Sequence, residues 1–142
     1  RGDLTFGMPF GGASFGELTG LTTLDLFRSG VCECPEWMLE LTGLQMLSLG
    51  GNLELGKTLG GARLGRLNRL TALDLSHMEL CECPEWLGQL MELQKLDLSN
   101  NELGRNNELG RTLGLASLGG LTRLTALDLS NNGLCECPEW VG

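Results

Sequence analysis

Six cysteines carry the most reactive side chains of the sequence, and they form three Cys-x-Cys pairs: Cys32 and Cys34, Cys81 and Cys83, and Cys135 and Cys137. Thiolates bind zinc, form disulfides and react with oxidants. A structural zinc ion takes four Cys or His ligands, whereas each pair offers two, and His77 is the single histidine of the chain. Whether the pairs can combine depends on the elements that position them.

Each pair belongs to a motif, Cys-Glu-Cys-Pro-Glu-Trp, that occurs at 32–37, 81–86 and 135–140. A second pattern, Leu-x-x-Leu-x-Leu, begins at Leu21, Leu44, Leu70, Leu93 and Leu124. Such repetition is typical of a solenoid, in which each unit buries its apolar face against its neighbours. We expect one array over residues 1–142, with a partial unit over 1–20. Because the chain begins without Met and stops in mid-unit, we also expect it to be part of a longer array.

Two stretches of the sequence carry a family resemblance: Leu93-Gln-Lys-Leu96-Asp-Leu98-Ser-Asn-Asn101-Glu-Leu103 and Leu124-Thr-Ala-Leu127-Asp-Leu129-Ser-Asn-Asn132-Gly-Leu134. They resemble leucine-rich repeats. The resemblance implies a right-handed, curved α/β solenoid with a parallel sheet on the concave side and turns or short helices on the convex side. Alternating short and long units, and the run at 84–90, resemble the repeats of intracellular signalling and scaffold proteins, which favours an intracellular location.

The repeat pattern also predicts local structure. Leucines two residues apart point into the core from a short strand, and the residues between them face solvent. The asparagines at 52, 101 and 132 can bond to neighbouring backbone groups, whereas Ser29 and Met78 interrupt this ladder, so we expect a distorted or looser turn at Met78. Each Pro after Cys-Glu-Cys favours a short helical segment on the convex side. The Leu-Gly pairs of the long units disfavour a long helix.

Stacking separates the cysteine pairs. Equivalent motifs lie two strands apart, about 10 Å, which is beyond the roughly 7 Å limit for a disulfide. In the family that the chain resembles, an inward Leu usually occupies the position of Cys34, Cys83 and Cys137, which implies that these thiols are buried. We expect Cys32, Cys81 and Cys135 to lie nearer the surface. Core packing is the favoured interpretation; a redox or disulfide role and a metal role completed by a partner stay open.

A column of four acidic residues and one serine runs across the predicted concave face, between the two inner leucines of each unit: Asp25, Ser48, Asp74, Asp97 and Asp128. Adjacent like charges repel each other, and a basic partner could relieve that repulsion. The alternative is a solvated column without a partner. Phe27, Arg28, Met46, His77 and Lys95 lie beside it and differ from unit to unit, which suits recognition, and exposed aromatic and Met side chains are common in contact surfaces.

Three tryptophans recur on the convex turns, at Trp37, Trp86 and Trp140. Packing over the neighbouring long unit is the favoured interpretation for them. A protein contact is the alternative, because Trp is enriched at interface hot spots.

Composition limits the possible functions. Eighteen acidic and ten basic residues give a formal charge of −8, which disfavours nucleic-acid binding. No apolar stretch approaches the roughly 20 residues of a membrane span. One histidine and the lack of a glycine-rich phosphate loop argue against an enzyme. We therefore expect no cofactor. The resemblance to leucine-rich repeats implies a scaffold that binds a protein partner on its concave face, and the acidic column suggests that the partner segment is basic or of mixed charge. One alternative is a structural subunit that packs into a large assembly through its tryptophan side or its repeat ends. The repeat ends also invite end-to-end self-association. The other alternative is a thiol-based metal or redox module.

Overall fold

The computed structural model describes residues 3–5, 20–105 and 118–134. Within these residues six short strands form one parallel sheet, in which each strand pairs with the next along the chain. The strands are β1 (Asp3–Thr5), β2 (Thr23–Asp25), β3 (Met46–Ser48), β4 (Ala72–Asp74), β5 (Lys95–Asp97) and β6 (Ala126–Asp128). The middle leucines of β2 to β6 share one register, as the repeat pattern predicts: Leu24, Leu47, Leu73, Leu96 and Leu127.

Leucines from one face of the sheet fill the core. From β2 to β5 the middle leucine of each strand is at most 3% exposed. The leucine two residues later is fully buried in the same four units, at Leu26, Leu49, Leu75 and Leu98. Since side chains alternate across a strand, the residues flanking each middle leucine must face outward. The buried side chains form a single cluster along the stack, so each unit is stabilised by its neighbours rather than by a core of its own.

Short helical segments form the other side of the solenoid. Pro35 and Pro84 each precede a 3₁₀ helix, over Glu36–Glu40 and Glu85–Gln89, as the sequence predicts. The long unit between them carries the helix α1 (Leu53–Thr58), followed by 3₁₀ turns at Leu59–Gly61 and Leu64–Arg66. This unit contains no long regular helix, in agreement with its Leu-Gly pairs, which disfavour one.

The buried asparagines bond to the backbone of neighbouring units as predicted, and these bonds also reach the unit of Met78, where we expected them to be missing. The side chain of Asn101 donates to the carbonyl oxygens of Leu75 and Leu98, and its Oδ1 accepts the N–H groups of Met78 and Leu80 at 3.0 Å each. Met78 is 1% exposed, and the expected loose turn at this residue was wrong. The physical reason is that each asparagine reaches back to the preceding unit, so Asn101 supplies the bonds that close the turn at Met78.

Strand β1 was not predicted. Leu4 pairs in register with Leu24, which places a strand inside the partial first unit. The segment Asp3–Thr5 has one apolar residue and therefore lacks the paired leucines by which the other strands were recognised.

Candidate functional site

The outward face of the sheet carries two columns of side chains in register. The first, which we call the aspartate column, consists of Asp25, Asp74, Asp97 and Asp128, with Ser48 in the second position. The neighbouring column consists of Thr23, Met46, Ala72, Lys95 and Ala126. Both columns line a groove of about 750 Å³ along the concave face. The structure thus brings together the predicted acidic residues, Met46 and Lys95.

Each aspartate of the column closes the turn after its own strand. The N–H of Phe27 donates to Asp25 Oδ1 at 3.0 Å, and the N–H groups of Ser76, Ser99 and Ser130 donate to the equivalent aspartates at 2.9 Å. Sequence reasoning weighed solvation against partner binding and missed this turn role. The signal was present, because Asp-x-Ser recurs in three units and Asp side chains commonly bond to the backbone two residues on.

Hydroxyl groups hold the carboxylates further. Ser99 and Ser130 each donate a side-chain bond of 2.6 Å to the aspartate two residues before them, and Ser48 donates to Asp74 Oδ2 at 3.1 Å. The bonds from Ser130 lower the pKa of Asp128 below its ordinary value. Hydrogen bonds of this kind favour the charged form of Asp128.

The aspartate column has no counter-ion within the described part of the chain. The ion pairs there join Lys57 to Glu54, Arg105 to Glu102 and Arg123 to Glu92, all outside the column. Adjacent strands lie about 4.8 Å apart, so the carboxylates of Asp74, Asp97 and Asp128 succeed one another at a spacing at which like charges repel. Lys95 lies in the neighbouring column and is exposed.

A second group of side chains lies just beyond the carboxyl ends of the strands. It consists of Phe27, Arg28 and His77, which we call the Phe27 patch; Phe27 contacts both other residues, although His77 comes from a unit that is not adjacent to its own. The rings of Phe27 and His77 are edge to face, with centroids 6.5 Å apart. The guanidinium of Arg28 lies 5.3 Å from the centroid of the Phe27 ring. All three residues are exposed, Phe27 at 38%.

The tryptophans are mostly structural where they are described. Trp86 is 5% exposed, and its indole N–H donates to the carbonyl oxygen of Leu59 in the preceding long unit at 2.8 Å. This position agrees with the favoured interpretation, which is packing over that unit. The alternative, in which Trp86 is a surface contact residue, was wrong because the ring is covered. Trp37 is partly buried against the core, and Trp140 lies outside the described residues.

The cysteine pairs divide between core and surface. Cys83 is buried and Cys34 partly buried, and burial raises the pKa of both thiols to about 12. Cys32 is exposed and Cys81 intermediate. All four are free thiols, and the described residues contain no group of three or more Cys, His, Asp or Glu side chains able to hold a metal ion. Cys135 and Cys137 lie outside the described residues.

Comparison with known proteins agrees with this architecture. A family model described as Leucine Rich Repeat matches residues 92–121 and 123–142. Internalin C2 from Listeria monocytogenes aligns with a TM-score of 0.60 and 19% identity, over 85% of this chain and 47% of that one. The functional domain of InlJ from the same organism, which includes a cysteine ladder, aligns with a TM-score of 0.54 and 18% identity, over 94% of this chain and 30% of that one.

The chain therefore spans less than half of the length of both structures. At these identities the likeness concerns the fold. Comparison with curated protein sequences gives no match. In the described part of the chain, no helix is long and apolar enough to cross a membrane.

Proposed function

Because this chain is a leucine-rich repeat protein, we propose that it binds a protein partner on the concave face of its sheet and that a basic segment of the partner lies along the aspartate column. Leucine-rich repeats are typically protein-interaction modules, generally without enzymatic activity. The observation that carries the proposal is the column itself, with carboxylates in register on consecutive strands and without a counter-ion among the described residues.

Preorganisation supports the proposal. The turn and hydroxyl bonds to Asp97 and Asp128 fix these side chains before any partner arrives. The two aspartates then lose less side-chain entropy when a partner cation binds than freely rotating carboxylates would. The same bonds use Oδ1, so Oδ2 of Asp97 and of Asp128 accepts none of them and is available as an acceptor for Lys or Arg.

The groove also offers apolar contact beside the charges. Met46 is 50% exposed, and Ala72 and Ala126 follow in the same column. A segment with basic side chains over the aspartate column and apolar side chains over Met46 would match both columns. The open shape of the face suits an extended or helical protein segment rather than a small substrate that must be shielded from water.

Assembly through the convex tryptophans receives less support. Trp86 is covered by its own chain and its indole N–H is already bonded. A contact there would require the ring to leave the core of the solenoid.

Chemical-shift mapping tests the proposed function. The probe is the peptide acetyl-Lys-Ala-Lys-Ala-Lys-amide, and its glutamine analogue is the control. Because the carboxylates of the column bond to nearby N–H groups, we expect the lysine peptide to shift the amide resonances of Ser76, Ser99 and Ser130 most, and the glutamine peptide to leave them unchanged. Equal shifts at the convex carboxylates Glu36 and Glu85, which are exposed, would contradict a specific concave site.

A further inference from the structure

The Phe27 patch is a positively charged and aromatic surface on an otherwise acidic protein. The chain has a net charge of −8, and the aspartate column, which begins beside the patch at Asp25, is anionic. Arg28 is nevertheless exposed, and it takes part in none of the ion pairs of the described residues. Its guanidinium lies over the Phe27 ring, and within the described residues it donates no side-chain hydrogen bond and joins no ion pair. An exposed cation without a carboxylate partner is available to a ligand.

Two consecutive glycines build the platform under the patch. A Cβ at Gly50 would lie 2.8 Å from the Phe27 ring, and a Cβ at Gly51 would overlap the Cγ of Arg28. The equivalent positions of the following described units hold Ser76 with His77, Ser99 with Asn100 and Ser130 with Asn131. The pair of glycines therefore makes the space in which Phe27 and Arg28 lie flat across the neighbouring unit.

The same platform makes the patch rigid although it is exposed. The Phe27 ring lies against Gly50 and meets His77 edge to face. Its backbone N–H is tied to Asp25. Aromatic and Arg side chains that are fixed in the free protein are the residue types that dominate binding energy at interfaces, because little conformational entropy is lost when a partner covers them.

From these observations we propose that the Phe27 patch binds an acidic segment of the protein partner. A carboxylate of the segment pairs with the guanidinium of Arg28 and accepts a hydrogen bond from the imidazole of His77. An aliphatic side chain next to that carboxylate covers the Phe27 ring. The occupant is assigned by charge complementarity, since a cation held in place on an acidic chain selects an anionic group.

The inference rests on the proposed function in one respect, because it places the patch and the aspartate column on one partner. The partner segment would then be of mixed charge, with its acidic part at the strand ends of the first units and its basic part across the later units. Asp25 separates the two regions, and its carboxylate would repel an acidic segment that shifted into the groove.

Titration with two matched peptides tests the patch. The probes are acetyl-Glu-Leu-Glu-amide and its neutral analogue acetyl-Gln-Leu-Gln-amide, each added up to about 10 mM because short peptides that make few contacts bind weakly. The titration is followed by NMR. His77 is the single histidine, so the histidine ring resonances report on the Phe27 patch alone. We expect the acidic peptide to shift them and the neutral peptide to shift them much less.

Variants distinguish the contribution of the Arg28 charge to binding from that of the Phe27 ring. Arg28→Gln should weaken binding of the acidic peptide about threefold or more, as expected for an exposed ion pair, and Arg28→Lys should restore part of the loss. Arg66→Gln, the same change at an exposed residue of the convex side, should leave the affinity unchanged. Phe27→Ala should weaken binding of both peptides, with the strand amide resonances kept as evidence that the fold is intact.

Equal shifts from the acidic and neutral peptides, or full affinity in Arg28→Gln, would overturn the inference. The lysine peptide described above separates this outcome from failure of the proposed function. If the lysine peptide binds at the aspartate column and the acidic peptide does not bind at the patch, the patch proposal alone is wrong. If the acidic peptide binds and the lysine peptide does not, the proposal for the column is wrong.

Discussion

At the scale of single residues, position within the unit decides what each side chain can do. The two thiols of a Cys-x-Cys pair lie two residues apart, yet Cys83 is 5% exposed and Cys81 is partly exposed. The inner thiol therefore behaves as a small apolar side chain, and its pKa is raised to about 12 because burial disfavours the thiolate. In both of the described pairs the inner thiol is more buried than the outer thiol, as the repeat predicted.

Alkaline pH should destabilise the fold through the inner thiols. A thiol whose pKa is raised in the folded state contributes full stability below its unfolded pKa and loses that contribution as the pH rises from about 9 to about 12. Between about pH 7 and about pH 10 we expect a loss of about 1 kcal/mol per buried thiol, measured by urea unfolding. The chain has no tyrosine, so phenol ionisation does not contribute.

The variant Cys83→Ala should remove its share of the alkaline loss, because alanine does not ionise. Cys32→Ala, which removes the exposed thiol, should leave the pH dependence unchanged. The same alkaline loss in all three proteins would contradict the assignment of Cys83 to the core.

At the scale of elements, close backbone contacts between units decide which residues a turn tolerates. Gly56 lies in α1 against the neighbouring turn, and a Cβ there would overlap the carbonyl oxygen of Met78. Gly60 lies in the next 3₁₀ turn, and a Cβ there would meet nothing within 4 Å. The two glycines occur in the same Leu-Gly pattern and yet have different roles.

Gly56→Ala should destabilise the protein although it lies in a helix. Helix propensity alone would favour alanine by about 1 kcal/mol. The clash with the backbone of Met78 cannot be relieved by a side-chain rotation, so we expect a net loss of about 1–3 kcal/mol in the free energy of unfolding. Gly60→Ala is the matched control and should be neutral or stabilising in the same urea experiment. Stabilisation by Gly56→Ala would contradict the packing of α1 on this turn.

The contrast between these glycines also shows that the sequence pattern predicts structure within a unit better than contacts between units. Leucine spacing predicted five of the strands and their register, and Pro followed by Glu-Trp predicted the 3₁₀ helices, because both depend on neighbours within one unit. The contacts of Trp86 with Leu59 and of Asn101 with Met78 join different units. A pattern within one unit carries no signal for the bond between Asn101 and Met78, and this is why the turn at Met78 was misjudged, whereas packing of Trp86 over the preceding long unit was the favoured interpretation.

The sequence predicted one part of the candidate site, the aspartate column, and not the contacts within the other part, the Phe27 patch. The aspartate column follows directly from the repeat, since one position recurs between two inward leucines. The Phe27 patch depends on the space left by Gly50 and Gly51, which lie in a different unit from Phe27 and Arg28. The sequence marked its three residues as candidates but could not show that the Phe27 ring contacts both Arg28 and His77.

At the scale of the whole molecule, charge is distributed unevenly over a fold that repeats. The aspartate column and the Phe27 patch lie on the sheet side, whereas the described convex side carries short helical turns with exposed charges of both signs. A chain with a net charge of −8 attracts any basic peptide to some degree. The central claim is therefore that the concave carboxylates bind such a peptide better than equal charges elsewhere.

The most direct test compares two charge-matched double variants by isothermal titration with the lysine peptide. Asp74→Asn with Asp97→Asn removes two concave charges and keeps an oxygen that can accept the bonds from Ser76 and Ser99. Glu36→Gln with Glu85→Gln removes two exposed convex charges. We expect the concave variant to lose about tenfold in affinity, with a weaker dependence on salt, and the convex variant to bind like the wild type. An equal loss in both variants would contradict the concave face as the binding surface.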